Sequence, residues 1–395
     1  INRHPDMPKC VFKLLWDTIG AGKPIGAYVK NMAKSGAYYW VFASVFPDGN
    51  EYLSIRLKPT SPFLQIVSDL YKKVLIEEKK GMEHGLNLIL ASLETLGFKN
   101  YEHFMSVALT EEMNCRDKKM AESNVIPMKN FGGTEFQHLL EGGESCDKEF
   151  RSLFKALYGF VETSKSIKSL SDKMLSSFKR LNLLSINMAI GAERVGESGV
   201  TLAEVSRGFK DIADEIERQM KTFYKAMEEI QITLANAQFQ ISVCRLQTEM
   251  IHLFLLEVSS KIERKEAFDR KVFDDNYGSL LRVSDKYSRN VLDQMNILSQ
   301  TFFQFKKRLD DLSTSASGLE VIRISGKLET AKLDAEEAKN FNTHIEEMAA
   351  FIKAVKAPLT AISKSVSQFS SEMTDCSDSL VLIGNHLGQM RAQAV

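Results

Sequence analysis

The apolar residues in the second half of the chain recur in alternating steps of three and four. Phe150, Leu153, Leu157, Phe160, Ile167 and Met174 open one such seam, which runs to Val195. Met220, Phe223, Met227, Ile230 and Leu234 open a second, which runs to Ile262. A mean repeat of about 3.5 residues keeps one stripe of an α-helix buried against a partner helix. A third seam runs from Met295 to Leu319 and a fourth from Phe341 to Met390. Continuing the third in sevens would place Arg323, Gly326 and Glu337 in a core, so the chain must reverse or slip between about residues 320 and 340. Glycine tolerates the backbone of a reversal, and Gly196 and Gly199 stand between the first two seams. The pattern therefore predicts two antiparallel hairpins, 147–262 and 280–395, separated by the charged stretch 263–279 and folded into one up-down-up-down four-helix bundle over 147–395. Pro358 lies one residue before the seam residue Leu359, where a kink is expected.

The first 60 residues follow a different period. AYVKNM (27–32), YYWVFASVF (38–46) and EYLSIRLK (51–58) are rich in β-branched and aromatic residues and are separated by Ser35–Gly36 and by PDGN, both turn sequences. They predict a three-stranded antiparallel meander. The preceding run, with Val11, Leu14, Leu15 and Ile19 on one face, predicts a helix stopped at Gly20 or Gly22. Residues 61–122 return to helical spacing. Phe63, Ile66, Val67, Leu70, Val74 and Leu75 form one face, Leu86, Ile89, Leu90, Leu93 and Leu96 a second, and Phe104, Val107, Ala108 and Leu109 a third. Pro127 and the diglycines of NFGG and EGGES mark 123–146 as a flexible linker. The fold class is mainly α: a long antiparallel four-helix coiled-coil bundle, preceded by a partial α+β domain (1–60) and a short helical connector domain (61–122).

Charge narrows the function. Among 395 residues, 51 basic side chains balance 51 acidic ones, so no net field recommends a nucleic acid or an anionic membrane as partner. Five cysteines show no CxxC pairing and seven histidines no HxxxH, which points to reduced thiols and no metal site. No apolar run reaches the ~20 residues of a membrane-spanning helix. No phosphate-cradling glycine loop, nucleophile elbow or paired-carboxylate constellation is present, so an enzyme is not expected. A protein of the cytoplasm is the expectation.

Two stretches carry a family resemblance. Asn187, Ala189, Ile190, Ala192, Arg194, Gly196, Glu197, Gly199, Ala203, Val205 and Ala213 fall without a gap on the hairpin-tip pattern of bacterial methyl-accepting chemotaxis receptors, which this stretch resembles. Gly191, Glu193, Thr201 and Gly208 depart from that pattern, two of them replacing glutamates. The resemblance implies a partner-binding tip made of Ile186, Ile190, Arg194, Gly196, Glu197 and Gly199, which would meet receptor-like tips, a coupling adaptor or a histidine kinase. THIEEMAA (343–350) is similar to the family's methylation setting and nominates Glu346 and Glu347; a solvated helix face is the competing reading, and the nearness of the second turn favours it. RHPDMP (3–8), LWDTIGAGKP (15–24) and GAYVKNMAKSGAYYWVFASVFP (26–47) resemble the carboxy-terminal half of a PAS domain of the aerotaxis-receptor type. That resemblance implies FAD as cofactor near Arg3, His4 and Asp6, although Ile25 stands where the family carries a tryptophan. The expected function is signal transduction in chemotaxis or aerotaxis. PAS sensing of redox, oxygen or another internal cue would be relayed through the bundle to protein partners, in the bacterial cytoplasm and at a receptor array or cell pole, with homo-oligomers allowed. The alternative is a scaffold protein that reuses a degenerate chemoreceptor fold for assembly.

Overall fold

Four seams predict four helices, and the computed structural model of the chain, which describes residues 4–122, 134–194 and 200–393, places a long helix on each. In chain order the elements are α1 (Lys9–Gly20), β1 (Ile25–Met32), β2 (Tyr38–Asp48), β3 (Glu51–Leu57), α2 (Phe63–Glu77), a short 3-10 turn (Glu78–Lys80), α3 (Met82–Thr95), α4 (Tyr101–Glu122), α5 (Thr134–Arg194), α6 (Val200–Glu263), α7 (Arg270–Thr330) and α8 (Ala335–Gln393). The fold is mainly α with a small α+β portion at its start, as the pattern predicts.

The strands form an antiparallel meander in the order β1-β2-β3. Ile25 pairs with Val45 and Met32 with Tyr38, while Phe42 pairs with Leu57 and Asp48 with Glu51. Gly36 and Gly49 take φ of +83° and +61° in the two connections, a region in which side chains with a Cβ are strained. The amino-terminal end of α1 would leave backbone donors unpaired, and Glu78 satisfies two of them: its carboxylate accepts from the Lys9 N–H at 3.0 Å and the Cys10 N–H at 2.5 Å. The 3-10 turn therefore caps a helix 68 residues earlier in the chain.

The chain packs as two units, Ile1–Leu157 with Ala235–Met295 and Cys376–Val395, and Tyr158–Leu234 with Asn296–Asp375. In the first, the flexible linker expected over 123–146 is corrected where it is described: residues 134–146 belong to α5, and 123–133 lie outside the described residues. The diglycine serves close packing. A Cβ on Gly142 would meet Met390 Cγ at 2.8 Å, and one on Gly143 would lie 3.7 Å from the His252 backbone. The charged break expected over 263–279 shrinks to the residues between Glu263 and Arg270, because Phe273 stacks on Phe254 and Tyr277 and draws its segment into α7. Ile66, Leu90 and Leu96 are exposed, not inward, because α2 and α3 bury narrower stripes centred on Val67, Leu70 and Val74 and on Ile89 and Leu93.

In the second unit, α7 runs antiparallel to α8, with Phe302 stacked on Phe369 at a ring separation of 3.4 Å and Gly326 against Ile345. Phe160 of α5 meets the same Phe369 at 3.8 Å, and Phe223 of α6 meets Phe305 at 4.6 Å. The four seams thus close on one another within a single chain. Pro358 leaves α8 unbroken, and Leu359 beside it stays buried.

The two hairpins also repeat one another. Buried Leu157, Phe160, Ile167 and Met174 of α5 recur 138 positions later as buried Met295, Leu298, Phe305 and Leu312 of α7, the distance from 157 to 295. Buried Met220, Phe223, Ile230 and Leu234 of α6 recur 139 positions later as Leu359, Ile362, Phe369 and Met373 of α8, the distance from 220 to 359. The register holds along each seam, and one extra residue separates the seam ends at the second turn.

Candidate functional site

From Ile241 to Glu249 every residue of α6 is buried, so this helix is enclosed on all sides where most surface helices bury one stripe. Two charges sit inside that segment. Arg245 is 1% exposed and donates through both terminal nitrogens to Asp117 of α4, at 2.7 Å to Oδ2 and 2.5 Å to Oδ1. One helical turn on, Glu249 accepts from both terminal nitrogens of Arg116, also on α4. Arg151 of α5 joins the pair: its Nε donates to Asp147 at 2.6 Å, one terminal nitrogen lies 3.4 Å from Asp117, and the other lies 3.8 Å from Glu249. Burial opposes the Arg151 charge, but Asp147, Glu249 and Asp117 outweigh it and raise its pKa above the ordinary value. Three arginines and three carboxylates therefore balance in one network that binds α4 to α5 and α6, with the Arg245 guanidinium 5.0 Å over the Phe154 ring. Such a network orders helices relative to one another more than it adds net stability, because desolvation offsets most of the Coulombic gain.

The same α4 grips the sheet. Glu112 is 1% exposed and accepts from the Tyr28 hydroxyl of β1 at 2.7 Å, from the Ser61 hydroxyl at 2.7 Å and from the backbone N–H of Thr60 and Ser61 at 2.5 and 3.1 Å. Burial, with the Glu112 charge, pushes the Tyr28 phenol up from its ordinary value. The Tyr101 hydroxyl donates to the Gly26 carbonyl at 3.0 Å. At the far end of β2, Phe46 packs edge-on to Tyr287 of α7 and Lys286 donates to the Pro47 carbonyl. A single helix thus holds the sheet with one stretch, around Glu112, and the bundle helices with the next, around Arg116 and Asp117. Sequence reasoning missed this network; the available signal was Arg245 and Glu249, four apart and the two charged residues of the run 241–249.

The sites nominated from the sequence lie elsewhere. His4 Nδ1 accepts from the Asp6 N–H at 3.1 Å, and Asp6 accepts from Lys30 Nζ at 2.6 Å, a bond that lowers the Asp6 pKa below its ordinary value. Both RHPD side chains are thus engaged by protein groups, and Arg3 lies outside the described residues. At the end of the first hairpin, Ile186, Ile190 and Arg194 are exposed, as a docking surface needs, while Met188 and Ala192 of the seam are buried. Gly196, Glu197 and Gly199 lie outside the described residues. Leu183 extends the exposed apolar face, and Val321, Ile324 and Leu328 of α7 expose the same spacing at the repeat distance. Gly191 faces Phe341, whose ring a Cβ would meet at 3.6 Å, and Gly208 faces Ile322 at 3.4 Å. Glu346 and Glu347 are both exposed, and Glu347 reaches His344 at 3.4 Å. Among the described residues, no helix is long and apolar enough to cross a membrane.

Over 75 residues, 18% of its length, the chain is 43% identical to the aerotaxis receptor of Escherichia coli (strain K12). The similarity is to a chemoreceptor. The match spans 15% of that receptor's length. No protein-family model and no solved structure matches the chain.

Proposed function

We propose that the chain is a signal-transduction protein of chemotaxis, in which the amino-terminal sheet and its helices respond to redox, oxygen or another internal cue and the long hairpins present the response to protein partners. The observation that carries the reading is the similarity to an aerotaxis receptor. The geometry adds a route. A cue that shifts β1 moves Tyr28 and so Glu112, α4 passes the shift to Asp117 and Arg116, and Arg151 and Arg245 hand it to α5 and α6. Helix α5 is unbroken from Thr134 to Arg194, so a displacement at Arg151 is carried covalently to Ile186, Ile190 and Arg194. In this reading the ion network is the element that would exchange between two arrangements, as such relays require.

The partner-binding face in this reading is Ile186, Ile190 and Arg194 with Gly196, Glu197 and Gly199, and its occupants are receptor-like tips, a coupling adaptor or a histidine kinase. Flavin sensing belongs to the same proposal: FAD near Arg3, His4 and Asp6 would have to displace the bonds that now join His4, Asp6 and Lys30. A stoichiometric flavin band in the visible spectrum of the desalted protein would support it. No catalytic role is assigned to the chain.

One observation favours the scaffold reading. Gly191 and Gly208, where the receptor pattern has glutamates, pack against Phe341 and Ile322, so contacts between helices occupy positions that would otherwise present charge. Deleting the gene in the organism that carries it and following cell migration in an oxygen gradient separates the two. The signalling reading expects a changed response that Asp117→Asn fails to restore; an unchanged response supports the scaffold.

A further inference from the structure

Where α1, β1, α3, α4, α6 and α7 meet inside the first packing unit lies a cavity of about 630 Å³, within the range that takes small organic ligands. Its apolar lining is Leu14, Ile25, Leu90, Tyr101, Met105 and Phe239. Its wall is fixed by two bonds from α4 to Gly26 of β1, the Gly26 N–H to Met105 Sδ at 3.3 Å and the Tyr101 hydroxyl to the Gly26 carbonyl at 3.0 Å. Most polar groups of the lining are already used. Thr18 and Ser106 donate to carbonyls of their own helices, and Asn100 accepts from the His103 N–H. Gln240 is different: its buried Oε1 has no hydrogen-bond partner among the protein groups. A buried acceptor left unpaired is unfavourable, so a group that pairs it is favoured. The three charged residues of the lining, Asp17, Lys23 and Glu102, are all exposed, and Asp17 is paired with Lys13.

From these features we infer that the cavity is a binding site for an uncharged amphipathic molecule that rests an aromatic-sized apolar body on Met105 and Phe239 and donates an N–H to Gln240. The lining holds no buried charge, so a strongly charged ligand would lose its hydration without a buried counter-charge. Occupancy would touch the sheet, α4 and the bundle helices at once, the elements that the ion network also joins.

The test uses the full chain with benzamide, which carries an aromatic body and an N–H donor, and methyl benzoate, which keeps the body and loses the donor, in ligand-observed NMR titrations. Benzamide is expected to saturate a single site, and methyl benzoate to bind about tenfold more weakly. Gln240→Leu should bring the two affinities together by weakening benzamide. Asn236→Trp, at an exposed position on the rim of the cavity, should exclude both while the circular dichroism and melting temperature stay unchanged. Absence of saturable benzamide binding, equal affinity of the wild type for the two probes, or full binding by folded Asn236→Trp protein would each overturn the inference. None of those results bears on the signalling reading, because no partner or cell response enters the measurement.

Discussion

Arg245 on α6 and Asp117 on α4 share two parallel hydrogen bonds, and they do so with the arginine 1% exposed and the aspartate about a third exposed. The asymmetry matters. Arg245 has given up its water and depends on Asp117 for compensation, whereas Asp117 retains part of its hydration.

Removing the aspartate is therefore the harsher change. Asp117→Ala should lower the unfolding free energy by about 3 kcal/mol, the low end for a broken buried pair because Asp117 is partly exposed and water can reach the place it vacates. Arg245→Met combined with Asp117→Ala should restore most of that loss, since an apolar side chain of similar length fills the enclosed face of α6. Urea unfolding of the three proteins checks the order; a double variant weaker than the single would mean that the network itself contributes net stability.

Burial raises the thiol of Cys146 from its ordinary 9.0 to about 12, and burial with the Glu78 charge raises that of Cys10 to about 12. A folded pKa above the unfolded one means stability fully present below pH 9 and lost as pH rises towards 12. The urea midpoint should hold between pH 7 and 8.5 and fall from about pH 9 upward, and Cys146→Ala should show a shallower fall. Under native conditions at pH 8, iodoacetamide should leave Cys10, Cys146 and Cys244 unmodified, since the reactive thiolate is suppressed and enclosed. Rapid labelling of Cys146 in folded protein, read by peptide mass, would contradict the placement of α5 against its neighbours.

Gly326 sits where a Cβ would lie 2.7 Å from Ile345 Cδ1 and 3.1 Å from Val205 Cγ1. Gly326→Leu should overpack the α6–α7–α8 contact and cost about 1–3 kcal/mol, although the residue is a better helix former. A stabilised variant in thermal melts would show that these helices are farther apart.

Cysteines at Phe302 and Phe369, whose rings stack, should crosslink with a short bismaleimide within one chain. Denaturing gels would show monomers of altered mobility; products only at the dimer position would mean that the hairpins pair between chains.

Exposed Ile190 and Arg194 give the tip a separate test. Ile190→Asp and Arg194→Glu should leave circular dichroism and melting temperature unchanged while abolishing co-purification with a histidine kinase or coupling adaptor from the same organism. Loss of folding in either would mean that the position is internal to a larger assembly.

The sequence by itself determined the four long helical seams, their buried faces and the meander. Each seam residue from Phe150 to Met174 and from Met295 to Leu319 is buried, because a period near 3.5 leaves one orientation in which apolar area leaves water. β-Branched and aromatic composition and the turn glycines did the same for the existence of β1 to β3, which bury near-continuous runs in β1 and β2. Only the tertiary structure decided the rest. Gly142 and Gly143 read as a linker because composition cannot tell a flexible backbone from one that lets another helix approach. Arg245 and Glu249 carried no sequence signal of burial because it depends on α4, whose partners Arg116 and Asp117 lie about 130 residues away in the chain, 128 for Arg245 and Asp117. Long-range pairing of charges follows from which helices meet, and no local period encodes that.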